Sequence, residues 1–140
     1  QNRKDLASII ADHAVPYVGQ TTMIGNFSDL HKKAEKAIYT EGAAFLNIMT
    51  PCPRGWRYDT ADIMKICKLA VETCYWPMFE VEHGKWRLTY EPKKKLPIED
   101  FLREQGRFKH LFKPGNEDLI AQFQAEVDRR WEELQYKCAR

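Results

Sequence analysis

The sequence predicts an α/β fold. Two observations carry it. Helix-period and strand-period patterns alternate along the first fifty residues. The run Phe45-Leu46-Asn47-Ile48-Met49 is almost continuously apolar, as a buried strand of a parallel sheet is. Alternating elements of this kind stack as a layered sheet joined by right-handed crossovers.

The elements follow in order. Residues 3–14 read as a helix, with Leu6, Ile9, Ile10, His13 and Ala14 on one stripe and Pro16 ending it. Residues 17–21 are rich in β-formers and read as a strand. Gly25-Asn26 breaks the chain. Ser28 or Asp29 can cap a helix to about Tyr39, with Leu30, Ala34, Ala37 and Ile38 inward. Gly42 stops it, and the apolar strand 45–49 follows.

After that strand, residues 50–58 hold two prolines and a glycine, so they read as an irregular, rigid loop. Thr60 can cap a helix to about Tyr75, with Ile63, Cys67, Ala70, Val71 and Cys74 on one face. Residues 78–81 and 86–90 pattern as a hairpin turning at His83-Gly84. Residues 91–97 form a linker, and Pro97 can open a short helix over 98–105. Residues 106–115 are a basic-aromatic connector. Asn116 caps a last helix, with Glu117 and Asp118 favourably placed in its first turn. Leu119, Phe123, Val127, Trp131, Leu134 and Cys138 make its apolar stripe. The expected division is residues 1–78 for the sheet portion and 79–140 for hairpin, linker and helical extension.

Composition narrows the function. The 140 residues are 44% hydrophobic and 30% charged, a globular balance rather than a disordered one. With 22 basic against 20 acidic residues, charge alone gives no reason to expect nucleic acid as a partner. No apolar run approaches the ~18 residues of a membrane helix, so no membrane association is expected. The first residues, Gln1-Asn2-Arg3-Lys4-Asp5, show no signal-peptide pattern. A chain that starts on Gln reads as processed or as a piece of something longer. Reduced thiols in a cytoplasmic protein are the expectation for Cys52, Cys67, Cys74 and Cys138. Cys67 and Cys74 would lie about 10.5 Å apart along one helix, too far for a disulfide.

Candidate chemistry is sparse. Cys67, Cys74 and Cys138 fall on apolar helix faces and read as core. Cys52 differs. It follows the carboxyl end of a strand, the edge where open α/β sheets bind ligands, and prolines flank it on both sides. It is either a ligand or redox thiol or a small filler of the loop. Arg54 and Arg57 beside it can hold an anionic group or pair with Asp59 and Asp62. His13, His31, His83 and His110 show no paired metal-ligand spacing. Arg107-Phe108-Lys109-His110-Leu111-Phe112 alternates basic and aromatic residues, as some single-strand nucleic-acid binders do, but reads first as a connector with packed rings and solvated cations. Lys93-Lys94-Lys95 reads as a solvated charge run. No phosphate-binding glycine motif and no nucleophile elbow occur.

Residues 47–58 (Asn47-Ile48-Met49-Thr50-Pro51-Cys52-Pro53-Arg54-Gly55-Trp56-Arg57-Tyr58) and 15–22 are distinctive. With residues 105–112 and 126–132 they resemble, in order along essentially the whole chain, the β subunit of 2-oxoacid:ferredoxin oxidoreductases, above all the pyruvate:ferredoxin oxidoreductases. Gly19 stands where alanine is usual in that family, and Ala43 where proline often follows Gly42.

The resemblance implies coenzyme A-dependent oxidative decarboxylation of a 2-oxoacid, with pyruvate first among candidates, and electron transfer to ferredoxin. It implies thiamine diphosphate, Mg²⁺ and a 4Fe–4S cluster in the complete enzyme, and a cytoplasmic complex of several subunits. It also implies that this chain is the back half of the thiamine-diphosphate-binding sheet domain plus a C-terminal arm. The family's Gly-Asp-Gly motif, its downstream Asn motif and its other cluster cysteines do not occur here. The chain alone is therefore expected to be inactive and to bind none of these cofactors. One site residue carries over: Cys52, as a cluster ligand in the complete enzyme. A rival is a non-catalytic interaction module in which residues 79–140 dock another subunit and Cys52 is structural. A second is a weak nucleic-acid binder using residues 93–95 and 107–110.

Overall fold

The computed structural model describes residues 3–24 and 27–140; the break expected at Gly25-Asn26 lies outside them. The elements run α1 (Leu6–Asp12), β1 (Tyr17–Thr22), α2 (Ser28–Tyr39), β2 (Ala44–Met49), α3 (Pro53–Trp56), α4 (Ile63–Glu72), β3 (Phe79–Glu82), β4 (Lys85–Leu88), α5 (Ile98–Arg103) and α6 (Glu117–Cys138). A 3₁₀ turn at Thr60–Asp62 leads into α4, and a 3₁₀ helix at Gly106–Phe112 joins α5 to α6.

The fold is α/β, as the alternation predicts. Among the described residues the sheet has four strands, in the order β2-β1-β3-β4. β1 and β2 are parallel, in register from Tyr17 opposite Ala44 to Thr22 opposite Met49. β3 runs antiparallel to β1, with Val18 opposite Val81, so the hairpin extends the same sheet. The hairpin turns through His83 and Gly84, both at positive φ, the geometry of a tight two-residue turn that keeps the strand twist.

One face of the sheet packs the apolar core. Val18, Phe79 and Val81 meet Ile66 and Ala70 of α4, Phe101 of α5, and Val127, Trp131 and Leu134 of α6. Cys67 and Cys74 are buried there, as their helix face suggests. α4 ends at Glu72, short of Tyr75, and Cys74 turns the chain at positive φ.

The other face lies under α2 and is polar. Lys33 is 1% exposed, its stem lying on β1 where Gly19 leaves room. A methyl on Gly19 would come 2.9 Å from Leu46 Cδ2 and 3.3 Å from Lys33 Cδ. Beside it Glu80, also buried, accepts from Tyr17 Oη at 2.9 Å and from Lys36 Nζ at 2.8 Å, and pairs with Arg87. Because of that carboxylate and burial, the Tyr17 phenol is held well above its ordinary pKa, burial being the larger cause.

Further expectations need correction. β2 is an edge strand, not a buried one: Ala44 is exposed and Ile48 is 40% exposed, because β1 covers only one side of it. Ile38 does not point inward; it is 76% exposed, and Lys33 takes the inward place because three acceptors wait for it. In α1, Leu6 and Ile9 are exposed while Ala7 packs in the core. α1 spans only Leu6–Asp12, because Ala14 already turns at positive φ before Pro16.

Candidate functional site

β2 delivers the chain to the site. At the carboxyl ends of the parallel pair, the Thr22 hydroxyl donates to Met49 O at 2.7 Å and ties the two strands together. Pro51 is buried, and Cys52 comes out exposed immediately after it. Cys52 is the residue before α3, in an extended conformation, and Pro53 opens that one-turn helix where its missing N–H costs nothing.

The loop closes on itself. Trp56 N donates to Cys52 O at 2.9 Å, and Tyr58 N donates to Pro53 O at 3.2 Å. The Tyr58 hydroxyl donates to Pro51 O at 3.0 Å, bracing the peptide that carries Cys52. Burial, with the two neighbouring thiols Cys67 and Cys52, raises the Tyr58 pKa, so the hydroxyl keeps its proton at neutral pH. Arg57 turns the chain at positive φ. Asp59 caps the next turn by accepting from Ala61 N at 2.8 Å.

Cys52 is the one cysteine of the four that is exposed; burial raises the thiol pKa of Cys67, of Cys74 (to about 11) and of Cys138. Thiolate is the form that binds iron or attacks disulfides, so burial keeps those three inert. Arg54 and Arg57 are exposed beside Cys52. The carboxylate of Asp59 is occupied as a cap rather than by either arginine.

The 105–112 segment also reaches this loop, and sequence reasoning missed that. The connector reading makes Arg107 a solvated cation. Its guanidinium instead lies 3.8 Å from the Trp56 ring centroid and 4.5 Å from that of Phe108. Burial lowers its pKa. Lys109 and His110 are exposed, as the connector reading has them. Lys93 and Lys94 are exposed too, while Lys95 pairs with Asp128 of α6. Both motifs stand out in the sequence, but nothing in it says that they touch.

The residues present bear unequally on the implied cofactors. Among the described residues no three His, Cys, Asp or Glu side chains converge as a metal site. Among those residues no carboxylate cluster fits a Mg²⁺-bound diphosphate. An iron–sulfur cluster asks less of one loop: a single accessible thiol in a fixed direction suits one iron. Cys52 meets that description. A cavity of about 510 Å³ lies elsewhere, between α1, α6 and the 3₁₀ helix, lined by Tyr75, Phe108, Phe123 and Leu134, and Cys52 is not part of it.

No family model matches the chain. Individual relatives do. Pyruvate synthase subunit PorB of Thermotoga maritima is 41% identical over 135 residues, which cover 96% of this chain and 41% of the relative. Its counterpart in Methanosarcina barkeri is 43% identical over 127 residues, 90% of this chain and 43% of the relative. Ketoisovalerate oxidoreductase subunit VorB of Pyrococcus furiosus is 39% identical over 136 residues, 96% of this chain and 42% of the relative. The chain thus spans about two fifths of the length of the relatives it matches. Along nine-tenths or more of its own length, this chain is a relative of the β subunits of pyruvate synthase and kindred 2-oxoacid oxidoreductases.

Proposed function

We propose that this chain is the C-terminal part of the β subunit of a 2-oxoacid:ferredoxin oxidoreductase, with pyruvate the substrate to test first. The observation that carries the reading is the 41% identity to a pyruvate synthase subunit across 96% of the chain. The complete enzyme converts the 2-oxoacid and coenzyme A to an acyl thioester and carbon dioxide, and passes electrons to ferredoxin. Thiamine diphosphate and Mg²⁺ are held by the part of the subunit not matched to this chain.

Within this chain, Cys52 is the residue that would hold one iron of a 4Fe–4S cluster. That cluster, when bound, supplies one-electron transfer. The chain's own contribution is to aim the sulfur. Pro51 and Pro53 restrict the backbone on both sides of Cys52. Tyr58 fixes the Pro51 carbonyl, and Thr22 fixes the strand end from which the loop leaves. Cys67 lies in the core beneath and is kept protonated by burial, so it does not compete for metal.

The test is turnover by the intact complex. The full-length subunit, purified without oxygen together with its partner subunits, should reduce ferredoxin when given pyruvate and coenzyme A. Failure of that complex to reduce ferredoxin with pyruvate or any branched-chain 2-oxoacid would overturn the reading.

A further inference from the structure

Residues 51–58 and 105–112 are separated by about a third of the chain, yet they meet along one seam. Gly106 N donates to Arg57 O at 2.9 Å, so the backbone that closes the Cys52 loop is hydrogen-bonded to the arm. There is no room for any other residue at 106. A methyl there would come 2.8 Å from Arg57 Cβ and 2.9 Å from Arg57 O, and the second contact is to backbone. The next residue, Arg107, spreads its guanidinium on Trp56, the last residue of α3. That guanidinium is aimed in turn: its Nε donates to Gln105 Oε1 at 2.9 Å. Gln105 is fully buried and anchored by a 2.6 Å bond to Phe101 O. Phe101 then closes the circuit, packing edge-on against Trp56 at 6.2 Å between centroids.

We infer that Gly106 and Arg107 are positioning residues for Cys52. The arm grips the loop where α3 ends, at the adjacent residues Trp56 and Arg57, while Tyr58 and the flanking prolines restrain the sulfur side. A loop with an exposed thiol and only one turn of helix would otherwise be free to swing. The guanidinium suits the task because it can stack on an indole and hydrogen-bond in its own plane at once, which a lysine ammonium cannot. The inference deepens the reading of Cys52 as a cluster ligand and rests on it for its functional meaning; the grip itself does not.

The experiment separates the two. In the full-length protein stripped of cluster, the alkylation rate of Cys52 by iodoacetamide is followed by peptide mass spectrometry, with Cys138 as the internal reference. Gly106→Ala and Arg107→Leu should change the Cys52 rate several-fold and leave Cys138 unchanged. Arg107→Lys should restore it only in part, because it keeps the charge without the plane. In the cluster-loaded protein, the same variants should shift the reduction potential and the EPR g-values of the reduced cluster. Unchanged Cys52 alkylation and an unchanged EPR signature in both variants would overturn the inference. If Cys52→Ser keeps its iron while Gly106→Ala still alters the alkylation rate, the grip stands and the ligand reading fails.

Discussion

Lys33 Nζ lies 2.7 Å from Asp29 Oδ2, one helical turn away on α2, and both groups face β1 rather than water. Among the described residues the ammonium has two further acceptors, Gln20 O at 2.8 Å and Thr89 Oγ1 at 2.7 Å. Burial lowers the Lys33 pKa, against the pull of Asp29. Asp29 also accepts from Thr21 Oγ1 at 2.6 Å, and its own pKa ends below the usual carboxylate value, because its partners outweigh its burial.

Lys33→Met should therefore be costly. The methionine fills the stem's volume, but the partly buried carboxylate and the Gln20 carbonyl lose their donor. Removing one partner of such a pair costs about 3–5 kcal/mol. Urea unfolding should show the midpoint fall with an unchanged slope. A loss no larger than that of an exposed lysine would show that the ammonium contributes nothing here.

That lysine marks one limit of the sequence. Helical spacing assigned α2 and its length correctly, because periodicity survives a single polar residue on the inner face. It gave the inward place to Ile38, since an isolated sequence cannot show that acceptors on β1 and at Thr89 wait for an ammonium. The edge position of β2 was hidden for a similar reason. An apolar run reads as buried whether its cover lies in the same chain or elsewhere. Cys52 was legible because prolines and the strand end are local features. The Gly106–Arg57 contact was not, because it is a long-range meeting of two loops.

Acid should loosen the polar face of the sheet through Glu80. Burial alone would raise its pKa, but hydrogen bonds from Lys36, Arg87 and Tyr17 outweigh it and the pKa is lowered. A carboxylate lowered in the fold contributes stability that is fully present above its unfolded pKa, about 4.3. That contribution is lost as pH falls through the folded value. Glu80→Gln should be less stable at neutral pH and should lose less on acidification than the parent. Parallel acid-unfolding curves for the two proteins would contradict this.

The open edge of β2 should make the 140-residue chain associate with itself. Ile48 on that strand, with Ile38 and Tyr39 (76% and 80% exposed) at the end of α2, leaves apolar surface beside unpaired strand backbone. Sedimentation should show mass rising with concentration. Ile38→Lys combined with Ile48→Lys should lower the association sharply. A concentration-independent monomer for the parent chain would count against an open edge. In the complete subunit the same double substitution should disturb assembly, because that edge is where a further strand can pair.

The proposed role of Cys52 as an iron ligand is decided by Cys52→Ser in the full-length protein. Serine is nearly isosteric, so the self-bonded loop should keep its shape, but its oxygen is a poor substitute for thiolate on iron. Iron content and the low-temperature EPR signal of the reduced protein should fall sharply, with the melting temperature almost unchanged. Cys67→Ser is the control: at a fully buried position it should lower the melting temperature and leave the EPR signal intact. A parental EPR signal and parental iron content in Cys52→Ser would show that Cys52 is not a ligand.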